Sequence, residues 1–192
     1  MRCSGRAVLV TSLLLLFAAP QLLGQRVAER HGFWFGGGVG MGSARLSCTI
    51  CRGGRNGGMS GYLRLGATVT PQILLGAETT VWYHSEAAVD YLLGSVQAVL
   101  YLYPARKSGL YIKTGFGLAQ YSAKDDQDQM STQALAGQFG VGYEIAVNGG
   151  LSIVPYANFL GSSGADLKFN NTVSSLSANT SLIQVGVGLT LH

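Results

Sequence analysis

The chain has 192 residues, of which 47% are hydrophobic, only 11% are charged and 28 are glycine. That length suits one domain rather than two, and a mean hydropathy of +0.27 is high for a soluble one. Beyond residue 24 no run approaches the ~20 consecutive apolar residues of a membrane helix, so the apolar content must be spread over many short elements.

The opening "MRCSGR" is basic, "AVLVTSLLLLFAA" is apolar over about the length of a signal core, and "PQLLG" brings a helix breaker and a small residue. Residues 1–24 are therefore expected to be a secretory signal peptide, residues 25–31 a lead-in and residues 32–192 the folded domain. Without Arg2 and Arg6 the formal charge falls from +4 to +2, so the apparent pI of about 9.1 gives no ground for nucleic-acid binding.

From residue 32 the chain repeats runs of about ten residues that alternate with period two, each followed by a polar break. The first run is "GFWFGGGVGMGSARL" (32–46), and the break after it, 47–58, carries Cys48 and Cys51. Two cysteines in an exported chain permit one disulfide. Free thiols and a metal site are the other readings, although no second C-x2-C is present and the three histidines are remote in sequence.

The second and third runs, 59–69 and 73–84, flank "TPQ". With Pro71 at the centre of a tight turn, Arg64 and Glu78 lie equally far on either side and face each other in an antiparallel hairpin. Runs four to eight are expected at 91–103, 110–123, 132–147, 151–161 and 178–192. "TPQ", "PARKSG" and "NGG" are compact turn chemistry at one end; the breaks 47–58, 85–90, 124–131 and 162–177 are expected to be longer loops at the other.

Sorted by parity, one face of each run is Leu, Ile, Val and Phe, while the other is Gly, Tyr, Gln and the charges. Glycine is a poor solvent-facing strand residue, but it suits the inside of a narrow closed barrel where eight strands of bulky side chains cannot all fit. The polar face is therefore read as the lumen and the greasy face as lipid-facing. Arg64, Glu78, Lys113 and Glu144 are then expected as a lumenal charge cluster in one layer, bonded to each other and to Gln97, Gln138 and Gln184, because an unpaired ion there would be costly.

With its signal, eight amphipathic runs, "GGGVGMG" in the first and "GQFGVGYE" in the sixth, the chain resembles the small eight-stranded outer-membrane β-barrel proteins of the OmpA/OmpX type. The resemblance implies an all-β, antiparallel up-and-down transmembrane barrel in a Gram-negative outer membrane, with turns toward the periplasm and loops outside. It also implies outer-membrane lipids including lipopolysaccharide and the barrel-assembly machinery as partners, a monomeric state and no cofactor. The chain departs from the pattern at its end, where Leu191 and His192 stand in place of a terminal aromatic residue.

Other motifs carry less. "KDDQDQ" gathers Asp125, Asp126 and Asp128, but lacks the glycine and distal Glu of a calcium loop and reads as a solvated tip. In "YHSEA" His84 and Ser85 are adjacent on a strand and point to opposite faces, which disfavours a hydrolase. The aromatics near run ends, among them Phe33, Phe35, Tyr83, Tyr143 and Phe159, suit interfacial belts, whereas Trp82 and Tyr101 fall inward by parity. The expected function is a non-catalytic structural or surface-interaction barrel. The alternatives are a narrow pore gated by the lumenal charges and a soluble periplasmic binding barrel with the Leu/Ile/Val face lining its cavity.

Overall fold

In the computed structural model, residues 29–48, 54–86, 89–125, 128–169 and 172–192 are described. The signal segment, Cys51 and Asp126 lie outside them. The alternating runs become strands: β1 (Phe33–Cys48), β2 (Asn56–Thr70), β3 (Ile73–Glu86), β4 (Val89–Leu102), β5 (Leu110–Lys124), β6 (Gln129–Tyr143), β7 (Ile145–Ala146), β8 (Leu151–Phe169) and β9 (Thr172–Leu191). Each pairs antiparallel with its neighbour in sequence, β1 pairs with β9, and β6 and β7 both pair with β8, so the sheet closes on itself.

β6 and β7 form one stave, giving an eight-stranded up-and-down barrel. The register is unbroken across the gap at Glu144, since Gly142 faces Tyr156 and Ile145 faces Ile153. Pro155, which has no N–H to give to the ladder, stands opposite this interruption. At the tight turn Pro71 and Gln72 connect β2 to β3 with Thr70 opposite Ile73, and a one-residue register shift between Thr68 and Thr70 then brings Arg64 opposite Glu78 rather than Thr79.

The outer wall is apolar. Phe33 is 87% exposed, Val39 72% and Met59 70%, and Leu, Ile, Val and Phe continue the band around every stave. It runs from Ile183 to Leu191 on β9 and from Met59 to Val69 on β2, which matches the ~25 Å band of a tilted membrane barrel. The parity that sends these residues outward overturns the soluble binding-barrel alternative, whose cavity the Leu/Ile/Val face would have lined. No helix among the described residues is long and apolar enough to cross a membrane.

The loops differ from expectation. β3 runs to Glu86 and β4 resumes at Val89, while β8 runs to Phe169 and β9 begins at Thr172, so the expected long loops 85–90 and 162–177 are largely hairpin. Conversely, the segment between β4 and β5 extends from residue 103 to residue 109. Polar residues such as Ser85, Asp90, Ser162 and Ser177 read as breaks by composition, but a neighbouring strand that completes their ladder overrides that preference. The two ends therefore differ less in loop length than in how far the strands project beyond the apolar band.

Candidate functional site: the charged interior

Period-two alternation directs Tyr62 and Arg64 of β2, Glu78 and Thr80 of β3, Gln97, Val99 and Tyr101 of β4, and Tyr111 and Lys113 of β5 into the barrel, where all are buried. Inward glycines make the room for the rings. A Cβ on Gly142 would lie 2.4 Å from the Tyr111 ring, and one on Gly38 2.5 Å from that of Tyr62.

The four predicted charges divide into separate groups. Lys113 Nζ donates to Glu78 Oε1 at 2.6 Å, with the two side chains 2% and 0% exposed, and the Tyr101 hydroxyl donates to Glu78 Oε2 at 2.7 Å. Both oxygens of the carboxylate are thus engaged in short charge-assisted bonds.

Arg64, although opposite Glu78 in the ladder, is bonded elsewhere. Its guanidinium donates to Tyr111 Oη at 3.2 Å and to Thr190 Oγ1 at 2.5 Å. It also lies 5.0 Å from the ring centre of Tyr101, 5.2 Å from Tyr62, 5.5 Å from Tyr111 and 5.9 Å from Trp34. A desolvated guanidinium among aromatic faces is held by cation–π attraction as well as by hydrogen bonds.

Glu144 belongs to a second set at the turn end. Arg30 Nε donates to its Oε2 at 3.1 Å, the Tyr103 hydroxyl to its Oε1 at 2.7 Å, and His192 Nε2 lies 3.2 Å from Oε1. Arg30 is further fixed by donating Nη2 to the Ser108 carbonyl at 2.8 Å, with its guanidinium carbon 3.6 Å from the Tyr103 ring centre. The lead-in before β1 and the residue after β9 are thereby tied to the mouth of the barrel.

Above the charges the interior is amide and then apolar. The side-chain nitrogens of Gln97, Gln138, Gln184 and Asn158 have no protein partner, so the expected bonds from those glutamines to the charges are replaced by phenols and a threonine. Beyond them Trp82, Leu93, Tyr121, Leu160 and Leu182 pack together, with Trp82 Nε1 donating to the Gly42 carbonyl at 3.1 Å.

The remaining candidates stay apart. Cys48 is disulfide-bonded. The Asp128 N–H donates to Asp125 Oδ1 at 2.7 Å and the Asp125 N–H to the Asp128 carbonyl at 3.0 Å, and no group of three metal-ligating side chains occurs among the described residues. His84 stacks between Trp82 and Tyr91 and lies 3.3 Å from Glu86 Oε2 rather than engaging Ser85.

Sequence reasoning missed Arg30, Tyr103 and His192 as partners of Glu144. Tyr103 lies just beyond β4, with the inward parity of Tyr101, but Arg30 and His192 lie outside any strand, where parity says nothing.

No protein-family model matches the chain, and no curated protein matches it in sequence. Solved structures do match. Neisserial surface protein A aligns with a TM-score of 0.59 at 15% identity, over 83% of this chain and 96% of that one. The attachment invasion locus protein Ail of Yersinia pestis aligns at 0.55 and 12% identity, over 84% and 99%. The outer membrane protein OprG from Pseudomonas aeruginosa aligns at 0.51 and 11% identity, over 86% and 98%. The fold of this chain is that of the small eight-stranded outer-membrane barrels.

Proposed function

We propose that the protein is an integral outer-membrane barrel of a Gram-negative envelope, acting without catalysis as an anchored structural or surface-interaction protein. The observation that carries this reading is the filled interior behind an apolar wall. Glu78, Lys113, Arg64 and Glu144 are buried against protein partners, so the wall and the projecting strand ends are what the barrel offers to others. Two of the fold relatives are by name a surface protein and an attachment protein, a role of the same kind. The test is the mobility of the outer-membrane fraction in SDS, unboiled against boiled, followed by planar-bilayer recording. A heat-dependent shift with an electrically silent bilayer is expected, and soluble periplasmic protein without a shift overturns the reading.

A narrow pore is the second reading, and the unpartnered buried amides of Gln97, Gln138, Gln184 and Asn158 favour it, because buried polar groups of this kind are satisfied by water. Conduction then requires Arg64, Glu78 and Lys113 to exchange partners. A current that changes on Glu78→Gln supports the pore; no current in either protein rules it out.

A further inference from the structure

Toward the loop end the outward positions of β9, β1 and β2 change character within one step. Val185 and Ile183, Val39 and Met41, and Met59 are exposed apolar residues; the next outward positions are Ser181, Ser43 and Gly57, and Arg45 and Arg55 follow one position further. β1 and β2 pair as far as Ala44 opposite Asn56, so Arg45 on β1 and Arg55 just before β2 flank the end of that ladder, and Arg45 stands opposite Ser181 on β9. Both arginines are exposed.

Arg55 does not extend into solvent. It crosses the outer face of β1, donating Nε to Ser43 Oγ at 3.2 Å, Nη2 to the Ser43 carbonyl at 2.5 Å and Nη1 to Ser181 Oγ at 3.2 Å. Its guanidinium is thus held against the wall at the upper edge of the apolar band. Among the described residues no carboxylate pairs with either arginine. A guanidinium on a serine ledge, with a second exposed arginine on β1 opposite Ser181, is complementary to a phosphate, and the bare hydrocarbon below is complementary to acyl chains.

We infer that Arg45, Arg55, Ser43 and Ser181 bind the phosphate headgroup of an anionic membrane lipid whose chains lie on Val39, Met41, Ile183 and Val185. This rests on the membrane-barrel reading. A soluble phosphate ester would use the upper half of the site and leave the lower half unused, so the juxtaposition selects an amphiphile.

The test uses the full barrel in phosphatidylcholine nanodiscs doped with lipid A or with phosphatidylglycerol, and native mass spectrometry of the lipid retained. Wild type is expected to retain a phosphate-bearing lipid in preference to phosphatidylcholine. R45A/R55A should retain it about thirtyfold more weakly, each arginine near the surface contributing about fivefold. R106A, at the opposite end, should match wild type. Which dopant is retained identifies the source of the phosphate.

Equal retention by R45A/R55A overturns the inference, as does inorganic phosphate that competes as tightly as the lipid. The same samples run unboiled in SDS separate the two claims: no heat-dependent shift refutes the membrane barrel, whereas a shift without lipid preference refutes this site alone.

Discussion

Arg64 and Glu78 face each other across the β2–β3 ladder and take different partners: Arg64 binds Tyr111 and Thr190, and Glu78 binds Lys113 and Tyr101. The carboxylate is shared between a cation and a phenol, so removing its charge strands the cation. Glu78→Gln is expected to destabilise the barrel by about 3–5 kcal/mol by leaving Lys113 buried and unpaired. Glu78→Gln with Lys113→Met should recover most of that loss. Urea titration of refolded protein in detergent, read by the mobility shift, checks both; a Glu78→Gln barrel as stable as wild type contradicts the pairing.

Arg64→Lys keeps the charge but loses the planar fork and its stacking among four rings. The expected cost is about 1–2 kcal/mol, again from the urea midpoint. Full stability in Arg64→Lys would mean that the aromatic surround contributes nothing.

Gly142 and Gly149 make a matched pair. Alanine at Gly142 must displace Tyr111, and with it the acceptor of an Arg64 bond, so a loss of about 1–3 kcal/mol is expected from overpacking. At Gly149 a Cβ meets nothing within 4 Å, and Gly149→Ala should stay within about 0.5 kcal/mol of wild type. Equal effects at the two sites would show that the ring does not need the space.

Arg30 has a side chain only 1% exposed, held by Glu144. Trypsin must extract that side chain to cut after it. Wild type in detergent is therefore expected to resist cleavage at Arg30, and Glu144→Gln to be cut there several-fold faster, a local opening rather than global unfolding, as mass spectrometry of the fragments would register. Rapid cleavage of wild type at Arg30 would refute the tie.

The legibility of the chain followed its periodicity. Leu63, Leu65 and Val69 lie outside and Tyr62 and Arg64 inside because a strand has only two faces, and one apolar set fixes the other. Centring the turn on Pro71 led to the Arg64–Glu78 pairing that is found, but the chain turns on Pro71 and Gln72 together and reaches that pairing through a register shift between Thr68 and Thr70 that parity does not announce. Who bonds whom inside was not legible. Arg64 and Thr190 are 126 residues apart and meet only because the sheet curls shut, and curvature is a property of all the staves together. Strand ends were hidden for another reason: polar residues such as Ser162, Asp166 and Ser177 resemble a loop until a neighbouring strand pairs with them, Ser162 with Thr180 and Asp166 with Ser177.

The seam between β1 and β9 sets an order of events. Phe35 pairs with Leu191 and Cys48 with Ala178, so the first strand must wait for the last before either edge is satisfied. Until then the chain exposes two open ladders and a hydrocarbon face together, the combination most prone to mispairing, and loop closure over nearly the whole domain makes docking slow. Arg64 to Thr190 and Glu144 to His192 are bonds that exist only after that docking. They report ring closure itself, and variants at these positions should be read for their rate of assembly as well as for their final stability.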